Sequence, residues 1–155
     1  MNYLARCFTT TALRKRTLMA YSLHIERAGD DPDSKPRPIP LMEWRAAALA
    51  TKGVRLFAAQ AHTATNPQTG EIISVRTNVD DVEVYFADDD RWHAAIYWHE
   101  GSAAIPARQL QPGDTSNPVW VAAVDLASYL GAVIRGDEGE VYDLQTGNAT
   151  HALAP

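Results

Sequence analysis

Residues 82–98 read VEVYFADDDRWHAAIYW, and the fold turns on this stretch. Val82, Val84 and Phe86 alternate with Glu83 and Tyr85 at the two-residue period of a half-buried strand. A second alternating run begins at Trp92 and ends at Trp98, and Asp88-Asp89-Asp90 between the two is a polar turn. Two such runs around a short polar turn predict an antiparallel hairpin. On a continuous strand Trp92, Ile96 and Trp98 share one face, expected to be the core, while His93, Tyr97 and His99 share the other.

Outward from this hairpin the chain supplies further strands and two helices. Residues 21–26 alternate as a strand, and residues 29–40 hold four prolines and three aspartates, which fits only a loop. A helix is predicted over 41–52, with Leu41, Trp44, Ala48 and Leu49 on its buried face and Gly53 as its stop. Residues 54–59 read as a strand, and 61–65 with 71–76 as a hairpin around Asn66-Pro67-Gln68-Thr69-Gly70. Another strand is predicted over 103–107.

The second helix has a complete set of signals: Asn117 as N-cap, Pro118 at the first helical position, and Gly131 as stop. Val119, Ala123, Leu126 and Leu130 form its apolar stripe, widened by Trp120, Ala127 and Tyr129. A last hairpin, 133–135 with 140–143, surrounds Gly136-Asp137-Glu138-Gly139. The order is that of an α+β domain: a mostly antiparallel sheet of about six to eight strands with two principal helices on one face. The domain is expected over 19–147, with a frayed tail over 148–155.

Residues 1–18 contain Arg6, Arg14, Lys15 and Arg16 and no acid, the composition of an organellar transit peptide. The preferred reading is translation from Met19, with a leader that is disordered or a mis-assigned start, because residues 19–23 pass straight into a strand-like pattern; either way the leader lies outside the fold. Of 14 Lys and Arg against 19 Asp and Glu in the whole chain, the remainder keeps ten basic side chains against nineteen acidic ones. Such a surface repels phosphate backbones, which excludes nucleic acid as an expected partner and favours a basic protein. Cys7 is the only cysteine and falls in the leader, so the body has no disulfide and no thiolate chemistry. No apolar run reaches the roughly 18 residues of a membrane span.

Catalytic motifs are missing from the sequence. There is no nucleophile elbow, no P-loop and no dinucleotide fingerprint, and neither acidic cluster has the ligand order of a calcium loop. His93 and His99 lie about 20 Å apart along one strand, too far to share a metal ion. No cofactor, metal or catalytic residue is therefore expected. Asp137, Glu138 and Glu140 beside Tyr142 form a glycine-flanked anionic tip suited to a basic partner. Asp88, Asp89, Asp90, Tyr85 and Tyr97 are further candidates for that contact, and His93 and His99 for a polar site.

The segments Asn117-Pro118 through Tyr142-Asp143, with Gly136-Asp137-Glu138-Gly139-Glu140-Val141-Tyr142 at their end, and Tyr21 to Ile25, resemble a group of small uncharacterised bacterial proteins. The Pro38-to-Trp44 helix entry and the Asn66-to-Glu71 turn are similar to the same group. The resemblance implies no activity and no catalytic residue; a bacterial origin would remove the transit-peptide reading. Small acidic proteins of this general look include immunity proteins that neutralise bacterial toxins. The expected function is thus a cytosolic protein-binding module, in the manner of a toxin-neutralising inhibitor. The alternatives are a small metal-dependent hydrolase using strand histidines and carboxylates, or a homo-oligomeric subunit joined through a sheet edge.

Overall fold

The computed structural model describes residues 21–31, 34–57, 62–75 and 78–150. The expected hairpin is present as β5 (Val82–Phe86) and β6 (Arg91–His99), joined by the three aspartates. Its register contains one irregularity: Val82 opposes Ile96, whereas Glu83 opposes Ala94, so Ala95 is an extra residue in β6. An extra residue reverses which face every side chain beyond it takes. Ile96 and Trp98 point to the core as expected, but Trp92 does not. It pairs with Tyr85 on the outer face, and His93, opposite the buried Val84, turns to the helix side instead of joining Tyr97 and His99.

The remaining strands are β1 (Ser22–Glu26), β2 (Val54–Leu56), β3 (His62–Thr65), β4 (Ile72–Val75), β7 (Ser102–Pro106), β8 (Val133–Gly136), β9 (Val141–Tyr142) and β10 (Ala149–Thr150). Eight of the ten strands form one antiparallel sheet in the order β10-β9-β8-β1-β7-β6-β5-β2, and β3 with β4 form a separate hairpin. The fold is α+β with a mostly antiparallel sheet. Residues 58–59 of the strand expected over 54–59 lie outside the described residues, as does the leader over 1–18. Of the tail expected to fray from 148, Ala149 and Thr150 instead pair with β9, because Asn148 N–H to Thr146 Oγ1 and Asp143 N–H to the Asn148 carbonyl fold the chain back.

Two helices, α1 (Leu41–Ala50) and α2 (Pro118–Leu130), pack against each other and against one face of the sheet. The α2 ends form as the sequence dictates: Asn117 Oδ1 accepts from the N–H groups of Val119 and Trp120, and Gly131 closes the helix in the left-handed region at φ 58°. Its buried side is broader than a stripe and includes Trp120 and Ala122, but Tyr129 is exposed. On α1 the inward residues are Trp44, Ala47 and Ala48, while Leu49 points to solvent rather than to the core. Leu49 lies on the turn beside the helix end, one position past the arc that Trp44 and Ala48 define.

Trp44 anchors α1 to the sheet. Its ring stacks on Trp98 at 5.0 Å between centroids, and its Nε1–H donates to the Asp80 carbonyl at 2.8 Å. Arg45 Nε donates to Asp80 Oδ1 at 2.7 Å, and Asp81 Oδ1 accepts the Trp98 N–H at 2.8 Å. Burial raises the Asp81 carboxyl above its ordinary range, opposed by that Trp98 hydrogen bond. The four groups tie the start of β5, the end of β6 and α1 into one junction around a fully buried indole.

Trp44 on α1 and Trp92 on β6 therefore differ in kind. Trp44→Ala is expected to cost about 3–5 kcal/mol by emptying a buried site. Trp92→Ala, which removes only an outer-face ring pair and cation–π contact, is expected to cost about 1–2 kcal/mol. Denaturant unfolding of both variants checks the face reversal at Ala95; equal losses would contradict it.

Candidate functional site

The topology gathers the acidic turns. From β8 to β5 the sheet passes β1, β7 and β6 through four antiparallel pairings, so β5, β7 and β8 run in the same direction. Their C-terminal ends lie at one end of the sheet. The Asp88–Asp90 turn leaves β5 there, the Gly136–Gly139 turn leaves β8 there, and the helical turn Ala107–Gln109 leaves β7 between them. Four inter-strand steps of about 4.8 Å put the two acidic turns roughly 19 Å apart.

At the β8–β9 turn the candidate residues divide into two pairs. Asp137 accepts the Ser22 N–H at 2.7 Å through Oδ2 and meets His24 Nε2 at 2.8 Å through Oδ1. These contacts, His24 first, lower the Asp137 carboxyl below its ordinary range and bind the tip to β1. Glu138 is exposed and makes no hydrogen bond or ion pair among the described residues. Glu140 is not on the tip's surface: it is 5% exposed, with the Tyr142 hydroxyl donating to its Oε1 at 2.9 Å and its Oε2 buried without a partner. Gly136 makes room for it, since a Cβ there would meet Glu140 Oε1 at 2.0 Å and the Tyr21 hydroxyl at 2.1 Å. Tyr142, half-buried, packs against the core.

At the β5–β6 turn Asp90 takes a left-handed φ of 53° and accepts a hydrogen bond from the Tyr85 hydroxyl. That contact, with burial, raises the Tyr85 phenol above its ordinary range. Asp89 Oδ2 lies 2.7 Å from His93 Nε2, and Asp88 is exposed without a hydrogen bond or ion pair among the described residues. On the outer face the Tyr85 ring meets Trp92 at 5.3 Å, the Arg55 guanidinium sits 4.4 Å over Trp92, and Arg55 Nε pairs with Glu83 at 2.6 Å. Tyr97 lies farther down that face, with its hydroxyl donating to the Ala94 carbonyl at 3.3 Å. His99 is at the opposite end of β6 beside Glu100, so the two strand histidines serve different regions.

His93 opens onto a cleft of about 440 Å³ between the hairpin and the N-terminal turn of α2. Phe86 packs edge-on to the His93 ring at 4.8 Å, and Val119 and Ala95 complete the apolar wall. The polar wall is Asp89, His93, Arg108 and Gln109. Sequence reasoning missed Arg108 and Gln109, which come from the exit of β7 and have no local pattern. The Asp89–His93 contact had a signal, the four-residue spacing across the hairpin turn.

No group of three or more His, Cys, Asp and Glu side chains able to hold a metal ion occurs among the described residues. No helix there is long and apolar enough to cross a membrane. No family model, curated protein or solved structure matches the chain.

Burial and the Glu140 carboxylate push the Tyr142 phenol up to about 12. A phenol whose folded value exceeds its unfolded value near 10 keeps its full stabilising contribution below pH 10 and loses it as pH rises toward 12. In an ultraviolet titration of the phenolates, a last step near pH 12 is expected in the native protein and absent from Tyr142→Phe.

Proposed function

We propose that this protein is a binding module that presents the acidic end of its sheet to a basic protein partner. The observation that supports it is the placement of both acidic turns at one end of the sheet, with Asp88 and Glu138 exposed and unpaired. Five carboxylates, Asp88, Asp89, Asp90, Asp137 and Glu138, occupy these two turns, against Arg91 and Arg108 on the same end. Opposite charge on a partner raises the encounter rate, and the aromatic groups beside the turns hold the contact once made.

The spacing also fits one partner rather than two. A separation of roughly 19 Å exceeds the screening length of about 8 Å at physiological salt, so each turn acts as a local patch. A standard contact of about 800 Å² per side is about 30 Å across and covers both. The tethers to Ser22, His24, His93 and Tyr85 hold three of the side chains, Asp137, Asp89 and Asp90, in place, which reduces the ordering cost of binding. A basic toxin, neutralised in the manner of an immunity protein, is the partner that the analogy with other small acidic proteins suggests.

Capture from a lysate of the native host, followed by association kinetics with the captured protein, tests this reading. Charge reversal by Asp88→Lys with Glu138→Lys alters two exposed side chains that make no hydrogen bond or ion pair among the described residues. It is expected to slow association by about tenfold or more at low salt, with little change in thermal unfolding. Association that is indifferent both to salt and to the double substitution would remove the proposal.

A second reading is hydrolytic. The Asp89–His93 contact at 2.7 Å inside a cleft is the arrangement in which a carboxylate orients an imidazole for proton transfer. The cleft lining includes no serine, threonine, cysteine or lysine to act as nucleophile, so such chemistry would have to use water.

A further inference from the structure

Arg108 is exposed at the acidic end of the sheet, yet it makes no ion pair and no hydrogen bond among the described residues. Its backbone is nonetheless fixed. The Ala107 N–H donates to the Tyr21 carbonyl at 2.9 Å, the Leu110 N–H to the Ala107 carbonyl, and Asn117 Nδ2 to the Gln109 carbonyl at 3.3 Å. A guanidinium on a fixed turn at the edge of a cleft, with carboxylates close by that are committed elsewhere, is available to an outside anion. Asp89 is held by His93 and Asp90 by Tyr85.

Gln109, the next residue, lines the same cleft, and its Oε1 is buried with no hydrogen-bond partner. An unpartnered buried acceptor costs about 1–3 kcal/mol. The terminal amide torsion of glutamine is broad and two-fold, so a turn of this amide would present its oxygen to a donor that enters the cleft. Across from these two residues, Phe86 and Val119 offer an apolar wall. The volume of about 440 Å³ lies in the range of small-molecule sites.

The chemistry of a matching ligand follows from these groups. Arg108 selects a carboxylate, because the planar guanidinium binds one through two parallel N–H bonds. The free acceptor on Gln109 selects a neighbouring N–H donor. The Phe86 and Val119 wall selects an apolar side chain. Asp89 in the cleft wall penalises a second negative charge, which disfavours phosphates and dicarboxylates, and Arg108 itself disfavours a cation.

We propose that the cleft between the β5–β6 turn and α2 binds a monocarboxylate that carries an adjacent N–H and an apolar side chain. This is the chemistry shared by a free N-acyl amino acid and by the C-terminal residue of a peptide. Arg108 takes the carboxylate, Gln109 the N–H, and Phe86 with Val119 the side chain. The site goes beyond the partner reading and stands without it, since no basic surface is involved.

The test is a titration of the isotope-labelled full chain, followed by nuclear magnetic resonance, with three probes: N-acetyl-L-leucine, N-acetyl-L-leucinamide, and a tetrapeptide ending in leucine with a free carboxylate. Saturable shifts of the Arg108 Nε–H and of the Gln109 side-chain amide are expected with the first or the third probe and not with the leucinamide. Tighter binding of the tetrapeptide would assign the site to peptide ends, and tighter binding of the acetylated amino acid to the free ligand. Arg108→Leu, at an exposed position with no hydrogen bond or ion pair among the described residues, is expected to weaken the binding about tenfold or more, and Arg108→Lys to retain part of it. No saturable response to either carboxylate, an equal response to the leucinamide, or unchanged affinity in Arg108→Leu would overturn the proposal. Because no protein partner is present, these outcomes are separate from the association kinetics of the charge-reversed chain.

Discussion

Ala95 has no residue opposite it on β5, and this single insertion governs the use of the central strand. Without it, the pleat would send Trp92 into the core beside Ile96 and Trp98 and leave His93 in solvent with Tyr97. With it, the strand keeps its C-terminal half in register with the core and reverses its N-terminal half. Trp92 goes out to Tyr85 and Arg55, and His93 goes in to Asp89, Phe86 and the cleft. A bulge near the end of a sheet costs one ladder position and re-aims the side chains beyond it. Here those side chains belong to the end of the sheet that carries the acidic turns and the cleft.

The acidic character of that end is finer than a count of carboxylates suggests. Asp137, Asp89 and Asp90 are each held by a hydrogen-bonding neighbour, whereas Glu138 and Asp88 face water unpaired. Glu140 belongs to the interior. It fills the space that Gly136 leaves, and its burial beside Tyr142 gives the turn a polar contact underneath. Steering by charge depends on the exposed pair, and the geometry of the turns depends on the held ones.

The sequence resolved elements whose signals are local. Asn117, Pro118 and Gly131 delimit α2 because cap and stop chemistry acts within one turn of backbone. The hairpin at 82–98 was legible from alternation and three consecutive aspartates, and the Asn66–Gly70 turn from proline and glycine placement. Leu49 and Tyr129 misled the reading of the helix faces, because each lies at the margin of its apolar arc. Which neighbours arrive there is set by the rest of the chain. For the candidate site, the acidic turns were visible and the spacing of Asp89 and His93 was present in the sequence. Arg108 and Gln109 were not visible as site residues, since nothing in their own segment marks them.

The amino-acid sequence by itself determined the fold class, the two helices, most strands and the acid excess of the body, because each depends on periodicity, on caps and turns, or on a sum of charges. Tertiary structure alone decided the order of the strands, the common end at which the two acidic turns emerge, the turn of His93 to the helix side of the sheet, the burial of Glu140, and the cleft that Arg108 shares with Phe86 and Val119. These depend on pairings between segments distant in the chain. The energy of such a pairing belongs to two surfaces at once, so neither segment encodes it separately.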